Sequence, residues 1–149
     1  MKVVLQEVIS ASVEVDLNVI SEIGKGYLLL VSFTEDDTFD IAKKMADKIV
    51  KLRIWPDENG KTNWNLEKVD GEILSVSQFT LYANCKEGNR PSFVNCMSAD
   101  KARNLYSQFN AYLSSIYPKV KTGQFQADMK IKLINDGPFT LILDSKEIF

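Results

Sequence analysis

The chain has 149 residues, of which 45% are hydrophobic and 26% charged, and its formal net charge is −2. These values are typical of one globular domain over residues 1–149 and exclude disordered and collagen-like chains. The two cysteines match no disulfide scaffold or zinc spacing, and no apolar run could span a membrane or act as a signal peptide, so we expect a cytoplasmic protein.

The first third of the chain favours β-structure. Alternating apolar and polar residues predict a strand over 2–15, bent near residues 10–12. Gly24 and Gly26 indicate a turn after it. The nearly continuous apolar run 27–33 then predicts a strand that is covered on both faces.

A helix and a hairpin are predicted next. Apolar residues at helical spacing predict an amphipathic helix over 38–51. Asn59-Gly60, the strongest short hairpin signal, follows the candidate strand 52–55. Residues 72–82 have the alternation of a further strand, so that Gln78 and Thr80 are expected on the same face near its end.

The last third predicts a second helix and two strands. Ser98 is a candidate N-cap of a helix over 99–115. Residues 130–134 and 139–143 are predicted strands, interrupted by a turn signal at 135–138. The order of elements predicts an α+β fold, a single domain with a mostly antiparallel or mixed sheet that curls like a barrel and two main helices.

The chain contains no histidine, which limits the chemistry available to it. Ser-His-Asp and Cys-His catalysis, histidine-ligated metals and histidine general bases are all excluded. Catalysis by this chain would have to use carboxylates, hydroxyls, lysines, backbone groups or the substrate itself. We expect neither a metal nor a cofactor.

Two segments are candidate sites on local grounds, each with a simpler alternative. Gln78 and Thr80 project together near a strand end, although strand filler facing water would give the same pattern. Gly137-Pro138 has the sequence of an ordinary turn, but a glycine allows close approach and a cis X-Pro bond redirects carbonyls. Carbonyls aimed into a pocket could hold an ammonium group.

The charge is distributed unevenly along the chain. Residues 81–132 contain eight Lys or Arg and three acidic residues, which makes this segment +5 and the remainder −7. Such a segment can form a phosphate-binding surface within an acidic protein, or it can be an ordinary solvated surface.

Four motifs together strongly resemble the D-aminoacyl-tRNA deacylase family. They are SQFTLYA at 77–83, GNRPSF at 88–93, GQFQADM at 123–129 and NDGPFT at 135–140. The resemblance extends over essentially the whole chain. It implies a homodimer that hydrolyses the ester of D-aminoacyl-tRNA or glycyl-tRNA and spares L-aminoacyl-tRNA, with the active site at the dimer interface and no membrane partner.

The resemblance also implies residue roles. Gly137 and Pro138, joined by a cis bond and inserted into the partner's pocket, would capture the substrate amino group and exclude an L side chain. The side chains and backbone around the reacting carbonyl would come from Ser77, Gln78, Phe79 and Thr80. The family favours backbone N–H groups and the terminal ribose 2′-OH as catalytic groups, while Thr80 as a covalent nucleophile is the competing mechanism.

Further roles follow from the same resemblance. Phe125 and Met129 match positions that border the adenosine pocket, with core packing as the alternative. Candidate contacts to tRNA phosphates are Lys86, Arg90, Lys119, Lys121, Lys130 and Lys132. We expect Cys85 and Cys96 to be reduced and non-catalytic.

Three residues depart from the family pattern. Glu7 replaces an arginine thought to support the Gly-Pro loop, and Gln126 replaces a common glycine beside the adenosine pocket. Trp64 replaces a smaller residue at the surface. The alternative function is therefore a catalytically impaired RNA- or protein-binding module on the same fold, with its pocket altered at Glu7 and Gln126.

Overall fold

A six-stranded mixed sheet and a separate two-stranded hairpin form the β-structure in the computed structural model, which describes residues 1–149. The elements are, in chain order, β1 (Lys2–Val15), β2 (Asn18–Ile23), β3 (Gly26–Ser32), α1 (Phe39–Lys51), β4 (Arg53–Pro56), β5 (Thr62–Asn65), β6 (Glu72–Ser77), a 3-10 helix (Phe79–Tyr82), α2 (Ala99–Ile116), β7 (Val120–Thr122), β8 (Lys130–Asp144) and α3 (Ser145–Ile148).

The long strand β1 organises the sheet. It pairs antiparallel with β2, β3 and β8, while β6 pairs parallel with β3 and β7 pairs parallel with β6. The strand order is therefore β2-β1-β3-β6-β7, and β8 lies against β1. The predicted α+β class is confirmed, with a mixed sheet that curls until it is almost closed, like a barrel.

The pairing of β1 with β8 is irregular at two adjacent places, between Gln6 and Val8 and between Val8 and Ser10. Gln6 pairs with Thr140 and Val8 pairs with Asn135, so the four residues 136–139 lie opposite the single residue Glu7. The predicted division of this segment into two strands was wrong, because pairing with β1 continues on both sides of the turn-like sequence. The bend predicted at residues 10–12 stays a prediction, and the nearest irregularity of this pairing lies between Val8 and Ser10.

The strand β2 was not predicted from the sequence. Its hairpin turn is formed by Asp16 and Leu17, whose φ angles are +49° and +65°. Positive φ at both central residues defines the type I′ turn, whose twist matches that of the two strands. Asn-Gly or Asp-Gly normally indicates this turn in a sequence. Leucine at the second position carries no such signal.

Both predicted helices are confirmed. Thr38 caps α1, since its Oγ1 accepts the Ile41 N–H at 3.4 Å. Ser98 occupies the N-cap position of α2, but its side chain makes no capping bond. Its backbone N–H instead donates to a carboxylate oxygen of Glu35 at 2.8 Å, which ties the start of α2 to the loop after β3.

The main core lies between the sheet and the two helices. Leu5, Leu29, Ile49 and Phe109 are completely buried there. Such side chains each contribute about 1.5–3 kcal/mol by leaving water. The predicted Asn59-Gly60 hairpin is formed by β4 and β5. No helix is both long and apolar enough to cross a membrane.

Candidate active site

A cleft opens where two parallel strands end. The carboxyl ends of β3 and β6 meet at one edge of the sheet, and chain segments leaving such an edge diverge to form a crevice. The crevice is a cavity of about 620 Å³, within the usual range for a small-molecule site of roughly 300–1,000 Å³. Its lining includes Phe33, Ser77, Gln78, Phe79, Phe125 and Met129.

The structure thus brings together most of the residues predicted for catalysis and adenosine binding. Ser77, Gln78 and Phe79 line the side formed by the end of β6, and Phe125 and Met129 line the other side. The first turn of α2 contributes further small residues to the cavity. The sequence analysis missed the contributions of Phe33 and Met97, which carry no motif and become neighbours only through the fold.

The predicted strand over residues 72–82 was wrong in its second half. The strand β6 ends at Ser77, and Gln78, with φ −145° and ψ 77°, begins the 3-10 helix. Strand alternation therefore does not place Gln78 beside Thr80. Their contact comes from the turn, in which the Gln78 Nε2 donates to the Thr80 Oγ1 at 2.5 Å.

The start of this 3-10 helix offers backbone donors. The first N–H groups of a helix have no acceptor within it, which leaves those of Phe79 and Thr80 without intrahelical partners. The Phe79 carbonyl oxygen, in contrast, accepts the Ser32 hydroxyl at 3.2 Å and the Cys96 thiol at 3.3 Å. These two bonds fix the turn, and its N–H groups are the kind that stabilise an oxyanion.

Thr80 has no general base. Its hydroxyl is exposed, and its side-chain partner is the Gln78 amide, which donates and cannot accept a proton from the threonine. The chain also lacks histidine. Within one chain, no side chain is therefore hydrogen-bonded to Thr80 in a way that could take its proton.

Gly137 and Pro138 lie apart from this cavity within one chain. They are exposed at the four-residue bulge in β8, and the peptide bond between them is cis. Gln6 supports the bulge, since its Nε2 donates to the Asn135 Oδ1 at 3.3 Å. Neither residue lines the cavity that contains Ser77.

Glu7 lies directly opposite the bulge and is only 7% exposed. Burial raises the pKa of its carboxyl above the ordinary value, and the nearby Asp136 raises it further. Lys25 and the Trp55 indole favour the charged form and oppose this shift. The Trp55 Nε1 nevertheless has no hydrogen-bond partner within 3.5 Å. Glu7 is thus an acid beside another acid, at the position where the family resemblance predicted an arginine.

Most of the predicted phosphate contacts are already paired with acids. The four pairs are Lys119–Asp70 at 2.6 Å, Lys121–Glu72 at 3.7 Å, Lys130–Asp128 at 2.8 Å and Lys132–Glu14 at 3.0 Å. Lys86 and Arg90 make no ion pair and lie on the exposed loop that follows the 3-10 helix. The two cysteines, Cys85 and Cys96, are not bonded to each other.

The whole chain is similar to known proteins. A family model described as D-Tyr-tRNA(Tyr) deacylase matches residues 4–144. A curated D-aminoacyl-tRNA deacylase from Lactobacillus gasseri is 54% identical over 144 residues, which cover 97% of this chain and 99% of the relative. Another, from Clostridium beijerinckii, is 47% identical over 149 residues, covering 100% of both chains.

Two solved structures are similar as well. The c-Myc DNA Unwinding Element Binding Protein is 38% identical and superposes with a TM-score of 0.91, covering 97% of this chain and 98% of its own. A probable eukaryotic D-amino acid tRNA deacylase is 16% identical, with a TM-score of 0.85 and coverage of 95% and 97%. At that identity the second similarity concerns the fold alone.

Proposed function

Because this chain belongs to the D-Tyr-tRNA(Tyr) deacylase family and is a D-aminoacyl-tRNA deacylase, a hydrolase of tRNA editing, we propose how its site selects and cleaves the ester. The cavity at the end of β6 takes the terminal adenosine and the reacting carbonyl. Gly137 and Pro138 of a second copy of the chain complete it. The protein works as a cytoplasmic homodimer and binds tRNA through this site.

The main support for a site shared between two copies of the chain is the separation of its parts within one copy. Ser77, Gln78 and Phe79 line a cavity, while Gly137 and Pro138 of the same chain are exposed elsewhere and do not reach it. Apolar side chains near the bulge are also exposed: Ile9 is 53%, Ile134 57% and Ile142 70% accessible. Exposed apolar residues that cluster on one strand pair are typical of a protein interface, and a second copy would cover them.

The chemistry needs no side-chain base. A water oxygen attacks the ester carbonyl carbon, and the N–H groups of Phe79 and Thr80 stabilise the oxyanion that forms. The bond from that carbon to the ribose 3′-oxygen then breaks. The ribose 2′-OH takes a proton from the water and passes one to the leaving 3′-oxygen, which yields a free amino acid and tRNA.

Selection depends on where the substrate side chain must point. With the amino group held by the carbonyls of Gly137 and Pro138 and the ester carbonyl held at Phe79, the position left for the side chain is fixed by handedness. An L side chain would collide with the backbone of the inserted loop, and such a clash rejects a substrate more strongly than a lost contact does. Glycine has no side chain, so glycyl-tRNA would also be cleaved.

Subunit mixing tests this proposal. A Gly137→Ala chain and a Phe79→Pro chain, which lacks the Phe79 N–H, should each be much slower than wild type as homodimers. In a mixed dimer, one of the two sites combines an intact loop with an intact pocket, so random mixing restores about a quarter of all sites. Recovery of D-tyrosyl-tRNA hydrolysis supports a shared site. No recovery from mixed dimers, verified by differently tagged chains, would contradict it.

A second candidate function is nucleic-acid binding without catalysis. The similar protein of 38% identity is named for binding a DNA unwinding element, and Glu7 and Gln126 are the residues that would impair the pocket here. The pairing of four candidate lysines with acids disfavours a broad phosphate-binding surface. Tight binding of tRNA or DNA with no ester hydrolysis would favour this function over the first.

A further inference from the structure

Arg103 on α2 is held against the rim of the cavity by two contacts. Its guanidinium carbon lies 5.0 Å from the centre of the Phe125 ring, and its Nη2 donates a hydrogen bond to the Gln126 Oε1. Phe125 and Gln126 both line the cavity, as does Ala102, the residue before Arg103. Contacts with two cavity residues therefore hold the guanidinium beside the site.

The charge of Arg103 is not neutralised. It makes no ion pair, neither with Asp100 one turn earlier in α2 nor with Glu35 or Asp128, which pair with lysines. The neighbouring charges are already paired: both oxygens of Asp128, which lines the cavity, accept from Lys130 at 2.8 and 2.9 Å, and Lys101 is bonded to Glu35 at 2.6 Å. Arg103 is thus the cation beside the cavity that can still take an anion.

Gln126, which accepts this hydrogen bond, has an unusual backbone conformation. Its φ is +62°, in the left-handed region that favours glycine. A non-glycine residue there adds strain, and glutamine is among the residues with a side chain long enough to reach α2 from this position. The hydrogen bond from Arg103 holds the Gln126 side chain at the rim of the cavity.

We propose that Arg103 binds the phosphate joining the terminal adenosine to the preceding nucleotide of the tRNA, and that Phe125 and Gln126 position it for this. The inference rests on the proposed function, in which the cavity holds that adenosine. Guanidinium groups match phosphate oxygens with two parallel hydrogen bonds, and one of five donors is used by Gln126. Stacking on Phe125 removes side-chain freedom before binding, so less is lost when the phosphate arrives.

Two minimal substrates isolate the phosphate. The first is the D-tyrosyl ester of adenosine, which has no phosphate, and the second is the D-tyrosyl ester of cytidylyl-(3′→5′)-adenosine, which has one. Wild-type protein should cleave the dinucleotide ester with the lower KM. In Arg103→Gln, this advantage should shrink by about tenfold, the usual size of a hydrogen bond to a charged group, with kcat unchanged.

Two further variants make the test specific. Gln126→Gly relieves the backbone but frees the guanidinium, so the ratio of the KM values of the two esters should move part of the way toward the ratio found in Arg103→Gln. Lys119→Gln removes a cation that is paired with Asp70 near the start of β6, away from the cavity at the strand's end, and should change neither KM. Thermal unfolding of each variant checks that the fold is intact.

The outcomes separate the two claims. Equal loss on both esters in Arg103→Gln, or no loss on either, would overturn the phosphate contact while leaving the deacylase proposal standing. If wild-type protein cleaves neither ester but does cleave D-tyrosyl-tRNA, the contact to this phosphate is insufficient and the inference is overturned. If it cleaves none of the three, the proposed function fails and the inference falls with it.

Discussion

Replacing Gly137 by alanine should lower activity while leaving the fold intact. Gly137 has φ +108°, and a Cβ built on it would lie 3.0 Å from the Phe139 nitrogen and 3.5 Å from the Phe139 Cβ. An alanine held in this conformation costs about 1–3 kcal/mol. The surrounding bulge is exposed, so the chain can relieve this strain by moving residues 136–139 away from their present positions.

That movement determines the size of the effect. If the present loop conformation becomes less favourable by about 1–3 kcal/mol, its population falls by roughly 5- to 150-fold. Because the proposed site needs the carbonyls of this loop in place, the rate of D-tyrosyl-tRNA hydrolysis should fall by the same factor. Global stability should change little, since a strained exposed loop can rearrange without exposing the core.

A matched glycine controls for strain alone. Gly60, in the turn between β4 and β5, has φ +74° and no atom within 4 Å of a built Cβ. Gly60→Ala should lower stability by about 1 kcal/mol, the usual penalty for alanine in this region, without changing hydrolysis. Single-turnover rates and thermal unfolding are measured for both variants. Full activity in Gly137→Ala, or an equal loss in Gly60→Ala, would refute the role given to the loop.

Three other substitutions have expected results that follow from the structure. Glu7→Gln should unfold at a higher temperature than wild type at pH 7. Because the pKa of Glu7 is raised in the folded protein, wild type loses stability as the pH rises from about 4.5, the ordinary pKa, through the folded-state pKa. The difference between the two proteins should therefore vanish below pH 4.5. Equal unfolding temperatures at pH 7 would contradict this. Thr80→Ala should slow hydrolysis by no more than about tenfold, because it loses one hydrogen bond and no nucleophile, whereas an acyl-enzyme trapped in wild type would favour covalent catalysis. Tyr106→Phe should lower the free energy of unfolding by about 1 kcal/mol, because the Tyr106 hydroxyl donates to the Ser75 carbonyl oxygen at 2.8 Å and this oxygen still accepts the Gly123 N–H in the variant. Denaturant unfolding that shows no loss of stability would contradict this.

The helices could be predicted from sequence because local spacing determines them. The stripe that includes Ala42, Met45 and Ile49 repeats at helical intervals, and these residues are buried on one face of α1. The strand β8 could not be predicted whole, because the Asn135–Pro138 sequence is locally a turn. Only long-range pairing with β1 on both sides of the bulge keeps it one strand.

Only part of the candidate site could be predicted from the sequence. The motif resemblance identified Ser77–Thr80 and Phe125, which the fold brings to one cavity, except that Thr80 itself does not line it. Strand alternation gave the wrong reason for the nearness of Gln78 and Thr80, since the chain turns there. Arg103 could not be found from sequence, because its contacts join α2 to the segment before β8.

Hydrolysis of matched D- and L-tyrosyl-tRNA under single-turnover conditions tests whether the Gly137-Pro138 loop selects the substrate. We expect rapid loss of the D ester and an unchanged L ester, because the inserted loop leaves no space for an L side chain. Loss of both esters at similar rates would contradict the proposed selection by clash. Survival of both esters on bound tRNA would contradict the deacylase account as a whole.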